Sequence, residues 1–164
     1  MSAQRQDSVI SADDSRMVGV VTEAAPAPVQ HGAPRTLLYI EDNPANLQLI
    51  VQFIARRPDI RMLTAEDAIV GIQLARVNKP DVILMDINLP GISGIEALEI
   101  LHADLATMHI PVIALSANVT PRDIEQGLQA GFFRYLTKPI KLDYFMETLG
   151  DALNLADKTP APSK

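Results

Sequence analysis

Acidic side chains lie at the ends of two apolar segments of the sequence. Asp86 closes the run VILMD, and Glu41 and Asp42 follow the run TLLYI. Polar groups end two further segments, with Ser116 at the end of PVIALS and Lys138 directly after FFRYLT. A carboxylate can attack phosphorus to form an aspartyl-phosphate, while a lysine and a hydroxyl stabilise charge on the transferred oxygens. These residue types therefore suit phosphoryl transfer to Asp86.

Short apolar runs alternate with longer stretches of helical spacing in the central part of the chain. The runs have the length of strands and cover residues 36–40, 61–65, 81–86, 111–116 and 132–137. The stretches of helical spacing cover residues 44–57, 66–78, 94–106, 121–130 and 142–155. Five such units predict an α/β fold in which helices cover both faces of a parallel sheet.

Three of the predicted helices begin with residues typical of helix N-termini. Asn43 and Thr120 each precede a proline, and Ser93 has a glutamate three residues later, which is the spacing of a capping box. Because Asn43 already explains the start of its helix, Glu41 and Asp42 need another explanation.

The acidic residues, the serine and the lysine described above all lie at the predicted carboxyl ends of strands. Open α/β sheets bind their ligands at this edge. If the first and third strands are neighbours, Glu41, Asp42 and Asp86 converge on one crevice. Two unit charges about 4 Å apart repel by roughly 4 kcal/mol at an effective dielectric of about 20, so the cluster requires cations. Lys138 supplies one. Mg²⁺, which binds few carboxylates and keeps several waters, suits the remainder.

Composition narrows the classes of partner. The net charge of −6 and a pI near 4.9 argue against nucleic acid and anionic membranes, which select basic surfaces. No apolar run approaches the roughly 18 residues that span a bilayer, so membrane insertion is not expected. The chain has no cysteine, which excludes disulfides and thiolate metal sites. This fits a reducing cytoplasm and is also compatible with other compartments; a cytoplasmic location is the prediction. Residues 1–34 are predicted to be a flexible leader, residues 35–155 the folded domain, and residues 156–164 a disordered tail.

The segments IEDN, ILMDINLPGISG, IALSA and YLTKP resemble the receiver domains of response regulators, in the same order and across about residues 35–155. The resemblance implies a flavodoxin-like (βα)5 fold with strand order 2-1-3-4-5. It implies that Asp86 accepts a phosphoryl group from a phosphohistidine. It also implies that Mg²⁺, for which Mn²⁺ could substitute, is held by Asp42, Asp86 and the backbone carbonyl of Asn88, with Glu41 acting through water.

The same resemblance implies a switch. Ser116 and Lys138 would contact the phosphoryl group, Ser116 and Tyr135 would change position together, and the Lys138–Pro139 bond would be cis. Partner binding, or a homodimer, would use the face formed by helix four, strand five and helix five. The chain would act as a phosphoacceptor rather than a dedicated enzyme.

The phosphoryl donor is expected to be a histidine kinase or a histidine phosphotransfer domain. The chain's own His31, His102 and His109 show no spacing typical of catalysis or metal binding. The motifs look most like receivers at the C-terminus of hybrid histidine kinases. No DNA-binding or other output domain is expected after the last helix, so the chain is predicted to be a single-domain receiver or a fragment.

Three other classes fit the residues less well. An NTPase is excluded, because VILMD resembles a Walker B strand but no G-x-x-x-x-G-K-[ST] loop is present. An aspartyl-phosphate phosphohydrolase would carry a second aspartate two residues after the nucleophile, where this chain has Asn88. A pseudo-receiver that binds partners without phosphorylation is disfavoured, because none of the phosphorylation residues is missing.

Overall fold

The computed structural model describes residues 34–117 and 119–158, apart from the side chain of Lys158. The predicted leader lies outside the described residues except for Pro34, and so does the predicted tail beyond Lys158.

Strands and helices alternate along the described chain. The elements are β1 (Arg35–Ile40), α1 (Pro44–Ile54), β2 (Ile60–Ala65), α2 (Ala68–Asn78), β3 (Val82–Asp86), α3 (Gly94–His102), β4 (Val112–Ser116), α4 (Pro121–Ala130), β5 (Arg134–Thr137) and α5 (Leu142–Lys158). All strand pairs are parallel, and the strand order is β2-β1-β3-β4-β5. The predicted flavodoxin-like fold and its strand order are therefore confirmed.

The sheet separates two apolar clusters, because successive side chains of a strand point to opposite faces. Leu38 and Ile40 of β1 pack on one face with residues from α2 and α3. Leu37 and Tyr39 pack on the other face with residues from α1 and α5. Every residue of β3 and β4 is buried, as expected for strands covered by helices on both faces. This packing holds the strand ends that carry the polar residues.

Helix α4 is packed more loosely than the others. Its one buried residue is Gly127, and Leu128 is exposed. Since burial of an aliphatic or aromatic side chain contributes about 1.5–3 kcal/mol, a helix that buries none is held weakly against the sheet. Helix α4 thus has the weakest apolar anchoring among the helices of the described chain.

The predicted helix starts are confirmed in atomic detail. Asn43 Oδ1 accepts hydrogen bonds from the backbone N–H groups of Ala45 (2.8 Å) and Asn46 (3.3 Å). Ser93 forms the predicted capping box. Thr120 forms a second capping box with Asp123, which the sequence analysis did not identify.

Several predicted boundaries shift for local reasons. Helix α3 ends at His102 rather than at residue 106, because a turn follows in which the Thr107 hydroxyl donates to the Leu101 carbonyl at 2.7 Å. Strand β5 begins at Arg134 rather than at residue 132, since the backbone N–H of Phe132 still donates to the Gly127 carbonyl at the end of α4. Helix α5 continues to Lys158, beyond the predicted end at residue 155.

Candidate functional site

Three carboxylates converge at the carboxyl edge of the sheet. Strands β1 and β3 are neighbours, with Ile40 paired to Met85, so Glu41 and Asp42 lie beside Asp86. Each of the three side chains has an oxygen within 4.8 Å of an oxygen of the others. Glu41 and Asp86 are buried, whereas Asp42 is exposed. The cluster that the strand ends predicted is therefore formed, with one open side.

Lys138 supplies a positive charge to the buried pair. Its Nζ donates to Asp86 Oδ2 at 2.9 Å and lies 3.6 Å from Glu41 Oε1. The Lys138–Pro139 peptide bond is cis, as predicted. The Lys138 backbone N–H donates to the Ser116 carbonyl at 2.8 Å, which ties the residue to the end of β4. The ammonium group thus reaches across two strands to Asp86.

The other oxygen of Asp86 is also held. Asp86 Oδ1 accepts a hydrogen bond from the backbone N–H of Asn88 at 2.9 Å, so the loop after β3 folds back on its own carboxylate. The contact places Asn88 beside Asp86. The metal-binding role of the Asn88 carbonyl stays a prediction.

Glu41 is held by several donors. Tyr39 donates its hydroxyl to Glu41 Oε1 at 2.7 Å, while the Asn43 backbone N–H and Asn46 Nδ2 donate to Oε2 at 3.2 and 3.4 Å. Burial raises the pKa of Glu41 above its usual range, and Asp86 raises it further, whereas Tyr39 and Lys138 oppose the rise. Burial, with help from Glu41, likewise raises the pKa of Tyr39.

Sequence reasoning missed Tyr39 as part of this site. The available signal was its position two residues before Glu41, because residues i and i+2 of a strand point to the same face. Since a buried tyrosine hydroxyl normally requires a hydrogen-bond partner, Glu41 could have been proposed as that partner.

Ser116 and Tyr135 lie on the neighbouring strands β4 and β5. Ser116 is buried at the end of β4, one strand away from Asp86. Tyr135 is half-buried, and its ring packs edge-on against Phe132 with the centroids 6.3 Å apart. Burial raises the pKa of Tyr135, and the nearby Ser116 hydroxyl partly offsets that rise. Because Ala114 pairs with Tyr135 and Ser116 with Thr137, the two predicted switch residues point to the same face of neighbouring strands.

Gly127 makes room for the Tyr135 ring. A Cβ atom at Gly127 would lie 2.5 Å from Tyr135 Cε2, closer than real side chains approach. Any larger residue would displace either the ring or helix α4. The position of Tyr135 is therefore coupled to α4, the loosely packed helix.

Two of the three histidines lie within the described residues. His102 ends helix α3, and His109 lies in the loop before β4. Both positions are at the amino edge of the sheet, opposite the carboxylates. His31 lies outside the described residues.

The acidic cluster fits a hard divalent cation. Its donors are carboxylate oxygens, and the exposed Asp42 leaves one side accessible to water. Mg²⁺ prefers oxygen ligands, takes one or two carboxylates and retains several waters. The donor set and its partial exposure match those preferences.

Comparison with known proteins assigns the family. Residues 37–150 match the family described as the response regulator receiver domain. The chain belongs to this family. It is also 37% identical over 123 residues to the polar-differentiation response regulator DivK of Brucella anthropi, a match that covers 73% of this chain and 99% of DivK. The DivK of Brucella ovis is 37% identical as well, over 72% of this chain and 98% of that protein.

Solved receiver structures share the fold. The receiver domain of sensor histidine kinase PA1611 from Pseudomonas aeruginosa PAO1, which has a magnesium ion in its active-site cleft, is 34% identical with a TM-score of 0.67. The match covers 74% of this chain and 99% of that domain. The phosphorylated cyanobacterial phytochrome response regulator RcpA is 27% identical with a TM-score of 0.62, covering 80% of this chain and all of RcpA.

Membership of the family establishes the general function. The receiver domain is a phosphoacceptor in two-component signalling, a signalling switch of the kind that interacts with histidine kinases or phosphotransfer proteins and binds Mg²⁺ at an acidic pocket. Among the helices of the described residues, none has both the length and the apolar character needed to cross a membrane.

Proposed function

We propose that Asp86 is the residue that receives the phosphoryl group. The observation that carries this assignment is its geometry, in which a buried carboxylate lies 2.9 Å from Lys138 Nζ and next to two further carboxylates. An Asp86 oxygen attacks phosphorus, the phosphorus–nitrogen bond of the phosphohistidine breaks, and the leaving imidazole nitrogen keeps the bonding electrons. Asp86 is best placed because it is the one carboxylate of the three in hydrogen-bond contact with the lysine.

The residues around Asp86 divide the remaining tasks. Before the reaction Lys138 pairs with the Asp86 carboxylate. When Asp86 forms the bond to phosphorus and loses its negative charge, Lys138 pairs with a phosphoryl oxygen instead. Ser116 donates its hydroxyl to another phosphoryl oxygen. The Asn88 backbone N–H holds Asp86 Oδ1 and so limits the directions from which the carboxylate can attack.

Asp42, Asp86 and the Asn88 carbonyl are the proposed ligands of Mg²⁺, with Glu41 contributing through water and Mn²⁺ as an alternative ion. When bound, the metal neutralises charge on the phosphoryl oxygens. Within the described residues, no side-chain hydrogen bond or ion pair engages the carboxylate of Asp42, unlike that of Glu41. Asp42 is therefore the better direct ligand of the two.

The donor histidine is supplied by a separate kinase or phosphotransfer domain. Similarity to the receiver of a sensor histidine kinase supports the predicted attachment to a hybrid kinase, whereas similarity to DivK supports a separate regulator. In either arrangement the donor docks over the open carboxyl edge of the sheet, where Asp86 lies. The cytoplasmic location and the absence of nucleic-acid and membrane partners remain predictions.

Incubation with acetyl phosphate and Mg²⁺ tests the assignment. The treated protein should carry one phosphoryl group, and mass spectrometry of its peptides should place it on the segment that contains Asp86. Removal of Mg²⁺ with a chelator should prevent the modification. Phosphorylation of a different segment, or equal phosphorylation without a divalent ion, would contradict the proposal.

We expect Asp42→Asn to weaken Mg²⁺ binding more than Glu41→Gln. Asp42 is proposed to contact the ion directly, and loss of a direct carboxylate ligand should cost more than loss of an outer-sphere one. Substitution of residues outside the coordination sphere typically lowers metal affinity by about 10–100-fold, so the loss for Glu41→Gln should fall in that range and the loss for Asp42→Asn should be larger.

Calorimetric titration with Mg²⁺ measures both variants, and Glu99→Gln on the exposed face of α3 serves as the control. Asp42→Asn should also raise the melting temperature without metal, because it removes repulsion among the carboxylates. A larger loss of affinity for Glu41→Gln than for Asp42→Asn would refute the ranking.

The proposed switch couples Ser116 to Tyr135 and α4. When the Ser116 hydroxyl moves toward a phosphoryl oxygen, it vacates space behind it, and the Tyr135 ring rotates inward to fill that space. The ring then leaves its present place against Gly127, which changes the contact with the loosely held helix α4. The surface formed by α4, β5 and α5 would change, and we propose that partners or a second copy bind there. The phosphoryl group shifts this equilibrium only through contacts that differ between the two states.

Ser116→Ala should accept phosphate at Asp86 but lose most of the structural response. Amide NMR spectra recorded with and without acetyl phosphate should show shifts across α4, β5 and α5 in the wild type, and shifts confined to the strand ends in the variant. Thr64→Ala, a half-buried hydroxyl on β2, is the control. Wild-type shifts in phosphorylated Ser116→Ala would show that the hydroxyl does not carry the coupling.

A further inference from the structure

A buried tyrosine hydroxyl lies beside the acidic cluster. The Tyr39 side chain is fully buried on the face of the sheet that α1 and α5 cover. Phenylalanine would bury nearly the same apolar surface without a polar atom, whereas burial of a hydroxyl with no hydrogen-bond partner is unfavourable. The hydroxyl must therefore be bonded, and its partner is Glu41 Oε1 at 2.7 Å.

Glu41 is held on both of its oxygens. Oε1 accepts from Tyr39 and lies 3.6 Å from Lys138 Nζ, and Oε2 accepts from the backbone N–H of Asn43 and the amide of Asn46. The contact with Tyr39 is the shortest of these. It engages Oε1 from the buried side of the cluster, whereas Asp42 is exposed.

The number of carboxylates that can reach a metal affects which ion binds. Mg²⁺ requires near-octahedral geometry at short distances and keeps several waters, so one or two carboxylates suit it. Ca²⁺ takes six to eight oxygens in flexible geometry and gains more from an additional carboxylate. A Glu41 side chain that is restrained from the ion therefore favours Mg²⁺.

We propose that Tyr39 is a positioning residue that sets the cation preference of the site. Its hydrogen bond engages Glu41 Oε1 and so reduces direct coordination by this oxygen, which favours Mg²⁺ over Ca²⁺. The inference rests on the proposed metal site at Asp42 and Asp86 and deepens it. Tyr39 itself does not touch the ion or the phosphoryl group.

Tyr39→Phe tests the proposal, because it removes the hydroxyl and keeps the ring. Dissociation constants for Mg²⁺ and Ca²⁺ are measured by calorimetry, and the ratio of the two affinities is the readout. We expect affinity for Ca²⁺ relative to Mg²⁺ to rise about tenfold, the lower end of effects seen for residues that orient metal ligands. Tyr144→Phe, which alters an exposed tyrosine on α5, should leave the ratio unchanged.

The double variant Tyr39→Phe/Glu41→Gln separates positioning from a general structural effect. If Tyr39 acts through Glu41, its substitution should not change the ratio further once Glu41 is glutamine. An equal loss of affinity for both ions in Tyr39→Phe, or the same change of ratio in the presence and absence of Glu41, would overturn the inference.

The wild-type protein offers a test that does not depend on how the variants fold. A hydroxyl proton bonded to a buried carboxylate exchanges slowly and can be followed by NMR, so the Tyr39 signal should persist when Mg²⁺ is bound. Its loss on Mg²⁺ binding would overturn the inference. If instead the wild type bound no Mg²⁺ and accepted no phosphate at Asp86, the proposed function itself would fail. Normal phosphorylation with an unchanged ion ratio would reject only the role of Tyr39.

Discussion

Asp86→Asn is expected to abolish phosphorylation of the receiver domain by acetyl phosphate while preserving its fold. Asparagine keeps the shape of the side chain, and its single oxygen can accept one of the two hydrogen bonds that Lys138 and the Asn88 backbone donate to Asp86. It lacks the nucleophilic carboxylate, so the rate should fall by more than about a thousandfold, as when other catalytic nucleophiles are removed. The melting temperature without metal should not fall, because one of three mutually repelling charges is gone.

Intact-protein mass spectrometry over time measures the effect. Asp143→Asn, which changes an exposed carboxylate in the first turn of α5, should be phosphorylated at the wild-type rate. Residual phosphorylation of Asp86→Asn at another carboxylate, at a rate near that of the wild type, would show that the acceptor had been assigned wrongly.

Lys138→Met should both prevent efficient phosphorylation and destabilise the metal-free protein. The lysine is the cation that contacts Asp86 and Glu41, whose carboxylates are almost fully buried. Removing one partner of a buried ion pair typically costs about 3–5 kcal/mol, because the remaining charge is left uncompensated. Methionine keeps much of the apolar stem, so the loss reports mainly on the missing charge.

Denaturant unfolding with and without Mg²⁺ checks the prediction. Mg²⁺ should recover a large part of the lost stability in Lys138→Met, since it supplies positive charge to the same carboxylates. Lys141→Met, an exposed lysine just before α5, should unfold like the wild type in both conditions. Equal stability of Lys138→Met and wild type without metal would mean that the buried carboxylates do not depend on the lysine.

The sequence by itself determined the features that depend on neighbouring residues. The alternation of apolar runs with helical spacing identified five strands and five helices, because these periods directly reflect which side chains face a core. Asn43, Ser93 and Thr120 identified helix starts, since capping bonds connect residues within one turn. The position of Asp86 at a strand end was visible for the same reason.

Helix and strand ends were less predictable where a distant or irregular contact decides them. The pattern of apolar residues continues past His102, but the Thr107 hydroxyl closes a turn on Leu101 and ends α3 earlier. Periodicity cannot report such a contact, because it describes the average exposure of positions and not the bonds of one side chain.

Only the tertiary structure decided how the site residues meet. The pairing of β1 with β3 brings Glu41 to Asp86, and Lys138 Nζ reaches Asp86 across 52 positions of sequence. The hydrogen bond from Tyr39 to Glu41 was also seen only in the structure, although the two residues are close in the chain. Local patterns constrain which face a side chain occupies, whereas distances between elements follow from how the helices and strands pack against one another.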